Sequence, residues 1–426
     1  MYKLLIAFAS IGILVAQDPK LAAAQAAADD MANGRIAQLQ TRFNSKMKSA
    51  APEAQMKTAL EQAAKMSGPF QKYIEPPSHT TTGGLDVYVF PTEFKNKTTD
   101  MQITIDADGK VAGLYFRGRK TEPEAAVEPE EIPVTEDPIT VQTGAFALPG
   151  KLSLPAGNGP FPAIVIVHGS GPTGMDGPAI GPNKPYRDIA WGLAERGVAV
   201  LRYDKRTLKY GAQMNTKKVT IKEEAVDDAL SAAAMLRKNP KIDPKHVFIL
   251  GHSLGGQISP YIATLDPKLG GIISLAGNAR PVSELVVEQT KYIQSLYPDD
   301  KQLALQLAEA EKVKTMTGSP DQLFFGAPLS YWRELDSLLP AAFLGKVSMP
   351  ILVLQGERDY QVTMADFAIW KKALAGRANA KLISYPEANH LFMKGFGKAT
   401  PGEYQKPGKV QANLIDDIAK WVKEQR

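Results

Sequence analysis

Ser253 sits in Gly251-His252-Ser253-Leu254-Gly255-Gly256, directly after the apolar run 247–250 and before a stretch of helical spacing. A serine hydroxyl is a weak nucleophile until its surroundings change that. On a strained strand-to-helix turn its side chain stands clear of the sheet, and the small residues at 251 and 255 let strand and helix approach. The start of the following helix then aims the Leu254 N–H at the place where an attacked carbonyl oxygen becomes negative. A passive serine in a Gly-rich turn is the competing reading, and the strand before and helix after favour the nucleophile.

Such a serine needs a base, and the base needs an acid to orient it. The chain has five histidines. His79 and His246 suit surface or packing roles, His168 ends the apolar run 163–167, and His252 lies inside the elbow itself. His390 follows the run 381–385 in Glu387-Ala388-Asn389-His390, in a loop that can reach Ser253. Behind a serine elbow the acid precedes the histidine in the chain. Gln355-Gly356-Glu357-Arg358-Asp359-Tyr360 follows the run 351–354 and offers Asp359 first and Glu357 second. The other half of an oxyanion hole would come from His168-Gly169-Ser170-Gly171-Pro172, through the main-chain N–H of Ser170 or, second, of Gly171. The cluster Asp204-Lys205-Arg206 follows the run 198–203 and reads as an ion-pair network that fixes loops.

Those loops need a parallel sheet to bring them to one edge. Between residues 138 and 426, apolar runs at 163–167, 198–203, 247–250, 271–275, 351–354 and 381–385 alternate with helical spacing at 186–196 and 223–238, and a closing helix begins near 410. An antiparallel pair, 139–141 with 151–154, opens the region. This is an α/β pattern, a sheet covered on both faces. Residues 280–346 interrupt it with two or more helices, an insertion placed as a lid above the carboxyl edge. Its bulky residues must mostly pack, but it is too short to bury them all within itself. Trp332 and Phe325 are therefore expected in an apolar acyl or aryl pocket.

A second domain precedes this one. Residues 21–66 have helical spacing, and from residue 85 the period changes to two, with a turn at Ala107-Asp108-Gly109-Lys110. That is a small α+β domain over 22–120. Residues 121–137 carry seven acids, no base and prolines at 123, 129 and 133, an extended linker that cannot form a core. At the other end, Met1-Tyr2-Lys3 and the apolar or small run 4–16 form a signal peptide pattern with Ala16 as the last residue removed, so the mature protein is expected to be secreted or periplasmic.

His168-Gly-Ser-Gly-Pro, Tyr203-Asp-Lys-Arg206, Gly251-His-Ser-Leu-Gly-Gly, Gly356-Glu-Arg-Asp359 and Asn389-His390 stand in the order seen in bacterial α/β-hydrolase esterases. Residues 138–426 resemble that family, in its serine aminopeptidase-like and dienelactone hydrolase-like forms. The small domain, ending in Asp106-Ala-Asp-Gly-Lys-Val-Ala-Gly-Leu, resembles the NTF2-like or cystatin-like domain found before some such secreted esterases. The resemblance implies cleavage of a small-molecule carboxylic ester through an acyl-enzyme and a Ser253–Asp359–His390 triad, with no cofactor. A small serine peptidase or a thioesterase on the same fold is the alternative, although residues 22–120 are too few for the propeller that filters peptides in larger relatives.

Composition removes other classes. There are no cysteines, which excludes disulfides, thiol catalysis and thiolate metal sites. No His/Asp/Glu cluster has metal-ligand spacing. The net charge of +5 is scattered, without the basic stripe that nucleic acid requires. After residue 16 no apolar stretch is long enough for a membrane span. Gly169-Ser-Gly171-Pro-Thr-Gly174 with Asp204 fits a dinucleotide-binding fingerprint on paper. The prolines at 172, 178, 182 and 185 delay the helix that a pyrophosphate would need, and that reading leaves Ser253, Asp359 and His390 without a task.

Overall fold

The computed structural model describes residues 18–118 and 134–425, apart from 54–55, 58–59, 61–63, 65–66, 83, 179–180 and 215–217. The expected signal peptide at 1–16 and residues 121–133 of the expected linker lie outside the described residues. The chain divides into two compact units, Met1–Glu131 and Ile132–Arg426.

In the first unit the helix Pro19–Ala32 starts where Asp18 accepts a hydrogen bond from the Lys20 N–H and proline occupies the first turn. Its small residues Ala24, Ala27 and Ala28 face an antiparallel sheet. The strands are β1 (Phe70–Tyr73), β2 (Ser78–Thr82), β3 (Leu85–Phe94), β4 (Thr98–Ile105) and β5 (Val111–Gly118). They run in the order β1-β3-β4-β5, with β2 also paired to β3. Alternation selects one face of each strand: Tyr88, Phe90, Met101, Ile103 and Ile105 point into the core. Gly109 takes φ +73° in the turn between β4 and β5, a conformation that glycine adopts without strain.

The second unit is built on a mixed sheet of eight strands. The opening pair is β6 (Thr135–Thr143) and β7 (Phe146–Leu154), then β8 (Phe161–Val167), β9 (Ala199–Tyr203), β10 (Ile242–His252) and β11 (Gly271–Leu275). After a two-residue pair, β12 (Leu323–Phe324) with β13 (Ala327–Pro328), come β14 (Ile351–Gly356) and β15 (Ala380–Tyr385). The order across the sheet is β15-β14-β11-β10-β8-β9-β7-β6. From β8 onward neighbours are parallel, and β7 is antiparallel to both β9 and β6. Strand β6 begins at Thr135, so the last three residues of the expected linker belong to this sheet instead. There Glu136 accepts hydrogen bonds from Trp191 and Ser153.

The central strands are apolar on both faces because both are covered. Val165, Val167, Val247 and Ile249 belong to one core with the helices Asp227–Leu236, Leu254–Leu265 and Met364–Ala373. Ile164, Ile166, Phe248 and Leu250 belong to the other, under Pro185–Glu195 and Ala412–Glu424. Each fully buried Val, Ile, Leu or Phe contributes about 1.5–3 kcal/mol of hydrophobic stabilisation. This holds the strand ends, and hence the loops after them, in a fixed frame.

The insertion folds as helices Val282–Leu296, Lys301–Lys314, Leu329–Ser337 and Ala341–Leu344 around the β12–β13 pair. Tyr331, Leu335 and Leu344 join the core beside the sheet, while Val313, Phe324, Leu329 and Trp332 form a separate apolar cluster. The helix expected over 223–238 differs at its start: residues Lys222–Val226 form a π-helical turn before Asp227–Leu236 continues as α-helix.

Candidate active site

Ser253 caps the helix Leu254–Leu265 at the end of β10, with φ +55° and ψ −117°. A side-chain-bearing residue in such a region costs on the order of 1–3 kcal/mol and persists only where its surroundings impose it. Here the Ser253 N–H is bonded to Leu275 O at 2.9 Å, and its carbonyl accepts the Gln257 N–H at 3.0 Å. The flanking glycines are required by close approach: a Cβ at Gly251 would lie 2.0 Å from Gly255 O, and one at Gly255 would lie 2.3 Å from Val167 O.

His390, in the loop after β15, has Nδ1 2.6 Å from Asp359 Oδ2. Both side chains are buried. The second oxygen of Asp359 accepts the main-chain N–H groups of Gln361 at 2.7 Å and Val362 at 3.1 Å, so the carboxylate is held from behind. Glu357 is exposed, and its carboxylate accepts from Ser384 Oγ at 2.7 Å. Of the two acids in this loop, the structure brings Asp359 to the imidazole.

His252 connects these loops, a role that the sequence did not reveal. Its Nε2 lies 3.0 Å from the His390 carbonyl, and its Nδ1 lies 3.0 Å from Tyr186 Oη. Tyr186 Oη also accepts the Gly169 N–H at 3.2 Å. Burial, assisted by His390, pushes the His252 imidazole down to about 3, so it is neutral at ordinary pH. A carbonyl only accepts, which places the His252 proton on Nε2 and leaves Nδ1 to accept from the Tyr186 hydroxyl. A directed chain therefore runs from Gly169 through Tyr186 and His252 to the backbone of His390.

The loop after β8 is fixed from several sides. His168 Nε2 lies 2.6 Å from Tyr203 O, and burial, with the Lys205 ammonium, pushes its imidazole down to about 3. Lys205 donates from Nζ to Gly169 O at 2.7 Å and from its main-chain N to Thr173 O at 3.0 Å. Asp204 accepts the Met175 N–H at 2.9 Å. Lys205 pairs with Glu224, and Arg206 with Asp228. A Cβ placed on Gly169 would lie 3.3 Å from Ser253 Cβ, which sets this loop against the elbow. The helix after the loop begins at Pro185, well past Gly174, and Asp204 is occupied by the Met175 N–H. Neither feature suits a dinucleotide.

A cavity of about 520 Å³ begins at Ser170 and is walled by Phe325, Tyr331, Trp332, Leu335 and Val282, with Glu224 among its lining residues. Trp332 is buried and donates from Nε1 to Phe324 O at 3.2 Å, and Phe325 stands beside it with ring centroids 6.1 Å apart. Thus Ser170, Phe325 and Trp332 border one space. Among the described residues, no group of three or more His, Asp or Glu side chains could hold a metal, and no helix is long and apolar enough to cross a membrane.

With this geometry in place, the chain can be set beside known proteins. Residues 162–394 match the family described as serine aminopeptidase, S33. Residues 24–114 match a family described as a protein of unknown function (DUF3887). The chain is 42% identical over 344 residues to Esterase EstD of Thermotoga maritima, covering 79% of each protein. It is 26% identical over 270 residues to the Uncharacterized peptidase YuxL of Bacillus subtilis, covering 62% of this chain and 35% of that one. Among solved structures, Est1E from Butyrivibrio proteoclasticus aligns with 16% identity and a TM-score of 0.43, over 68% of this chain and 98% of that one.

Proposed function

The chain belongs to the serine aminopeptidase S33 family of α/β-hydrolases, and on that premise we propose that it hydrolyses carboxylic esters with Ser253 as nucleophile, His390 as base and Asp359 as the orienting acid. The carrying observation is the 2.6 Å contact between His390 Nδ1 and Asp359 Oδ2. It holds a proton on Nδ1 and leaves the Nε2 lone pair for the serine hydroxyl.

Ser253 Oγ bonds to the ester carbonyl carbon while His390 Nε2 takes its proton. The carbonyl oxygen becomes an oxyanion and receives the Leu254 and Ser170 N–H groups. The carbon–alkoxide bond then breaks, and His390 returns the proton to the departing alcohol. Water repeats the sequence on the acyl-serine and releases the carboxylic acid. Phe325 and Trp332 line the space for an apolar acyl or aryl group. Export of the chain is part of the same reading and rests on the basic-then-apolar pattern of residues 1–16.

The identity to Esterase EstD supports esters as the substrate class. The family description and the YuxL match favour a small peptidase as second reading. An aminopeptidase, however, needs a free carboxylate for the substrate's terminal ammonium, and Glu224 in the cavity wall is already engaged by Lys205 and Tyr331. The test is a comparison of p-nitrophenyl butyrate with alanine p-nitroanilide. Faster ester turnover by about two decades in kcat/KM is expected, and a preference for the anilide would replace the esterase reading with the peptidase one.

A further inference from the structure

We infer that Lys205 is a positioning residue for the oxyanion hole, holding and polarising the one peptide group whose N–H belongs to Ser170. This rests on the mechanism proposed above. Gly169 C=O and Ser170 N–H are the two ends of a single planar amide. Lys205 Nζ lies 2.7 Å from that carbonyl oxygen. Because a trans amide points its N–H away from its C=O, a donor fixed on the oxygen sets the direction of the Ser170 N–H. A cation on the oxygen also draws electron density from the amide nitrogen through resonance. The N–H becomes more positive and a stronger donor to a developing oxyanion.

The surroundings suit this task better than a purely structural one. The Lys205 side chain is 1% exposed, and its partner Glu224 is 5% exposed. A buried ion pair is about neutral for stability when compared with an apolar pair of the same volume, so stability alone does not account for it. Here the pair places a compensated cation behind one amide, buried where solvent screens it little. Glu224 stands in the π-helical turn Lys222–Val226, and its other oxygen accepts from the Tyr331 hydroxyl. The carboxylate thus holds the ammonium while Tyr331 holds the carboxylate. Two main-chain N–H groups, Lys205 donating to Thr173 O and Met175 donating to the Asp204 carboxylate, keep the rest of the loop in register with the amide. Tyr331 and Glu224 both border the substrate cavity, so the back of the oxyanion hole and the wall of the pocket share one hydrogen-bonded unit.

The experiment compares wild type, Lys205→Met and the double variant Lys205→Met/Glu224→Gln. The readouts are kcat and KM for p-nitrophenyl butyrate, inhibition by a boronic acid, which forms a tetrahedral oxyanion mimic on serine, and the thermal midpoint. Lys205→Met is expected to lower kcat about tenfold, less than the loss of a whole oxyanion donor, with KM within about twofold. Boronic acid affinity should fall by a similar factor. Lys205→Met alone leaves the Glu224 carboxylate uncompensated, so its thermal midpoint should drop. The double variant should regain the midpoint without regaining kcat or boronate affinity. Recovery of kcat together with the midpoint would reduce Lys205 to a structural residue and overturn the inference. Labelling of wild-type Ser253 by a fluorophosphonate tests the underlying mechanism separately. An unlabelled, inactive wild type would sink that mechanism and the inference with it. A labelled, active wild type beside a fully active Lys205→Met variant would sink only the role of Lys205.

Discussion

A histidine bonded to an aspartate in the first unit, His79 with Asp86, can be set against the His390–Asp359 pair of the second, and the two differ in everything but chemistry. In the first unit His79 Nε2 is 2.9 Å from Asp86 Oδ1, with 44% of the histidine side chain exposed. Asp86 also accepts from Lys20 and Thr81, which hold its carboxyl below the usual carboxylate range, with Lys20 the largest cause. In the second unit His390 and Asp359 are 5% and 0% exposed. There, the aspartate is bonded to amide donors and to the imidazole, with no cation on it among the described residues. Under the proposed mechanism this buried carboxylate, free of a competing cation, orients the imidazole. In the first unit the same pair is a contact between neighbouring strands, with a half-exposed imidazole and a carboxylate shared with a lysine and a threonine.

Substitution at the two pairs should separate them most clearly. Ser253→Ala should lower kcat by about 10⁴–10⁶, and Asp359→Asn by about 10³–10⁴, with the fold retained. Asp86→Asn, and Glu357→Gln beside the site, should each leave kcat within about threefold. Steady-state kinetics on p-nitrophenyl butyrate checks all four. A collapse of activity in Asp86→Asn would mean that the first unit takes part in chemistry, and a larger loss in Glu357→Gln than in Asp359→Asn would move the acid.

A smaller effect is expected at the pocket. Trp332→Ala should raise KM for a butyrate or aryl ester more than for acetate, by about 1–3 kcal/mol of apolar contact. Equal losses on all esters would point to a misfolded insertion, and no change would place Trp332 outside the acyl site.

A further effect, on stability, comes from two buried imidazoles of the second unit. His168 and His252 have folded values of about 3, below the ordinary 6.5. For each, the unfolded state binds the proton first. Stability is therefore full above pH 6.5 and falls as the pH drops from 6.5 towards 3, with a limiting slope of about 1.4 kcal/mol per pH unit per histidine. Urea denaturation at pH 7 and pH 5 reads this directly. His252→Gln should flatten the slope relative to wild type, and an unchanged slope in that variant would show that its imidazole is not buried as described.

Much of this was legible in the residue order. The period of two and the runs of apolar residues marked the strands, because central strands buried on both faces leave no room for polar alternation. Gly251 and Gly255 announced the elbow, since backbone contact there tolerates no Cβ. Asp359 and His390 stood out because each follows a late strand, and such loops converge at the sheet's carboxyl edge. What could not be read depends on packing between distant segments. The choice between Glu357 and Asp359 turns on the direction in which a tight turn sends two side chains. The bonds of Lys205 to Gly169 and of His252 to Tyr186 and His390 span 36, 66 and 138 positions, and no local pattern encodes them. The start of β6 at Thr135 was hidden because Glu136 looks like a linker charge. In the fold it is a buried ion-pair partner of Arg202.

The backbone at Ser253 carries one more consequence. With φ at +55°, the proposed nucleophile occupies a position where glycine would be more comfortable. Drift toward greater thermal robustness would therefore press on this serine, and under the proposed mechanism selection for turnover must hold it in place. The proposed point of attack is thus also one where the fold would gain by changing the residue, so a lineage that loses the need for the reaction should lose its serine early while keeping its sheet.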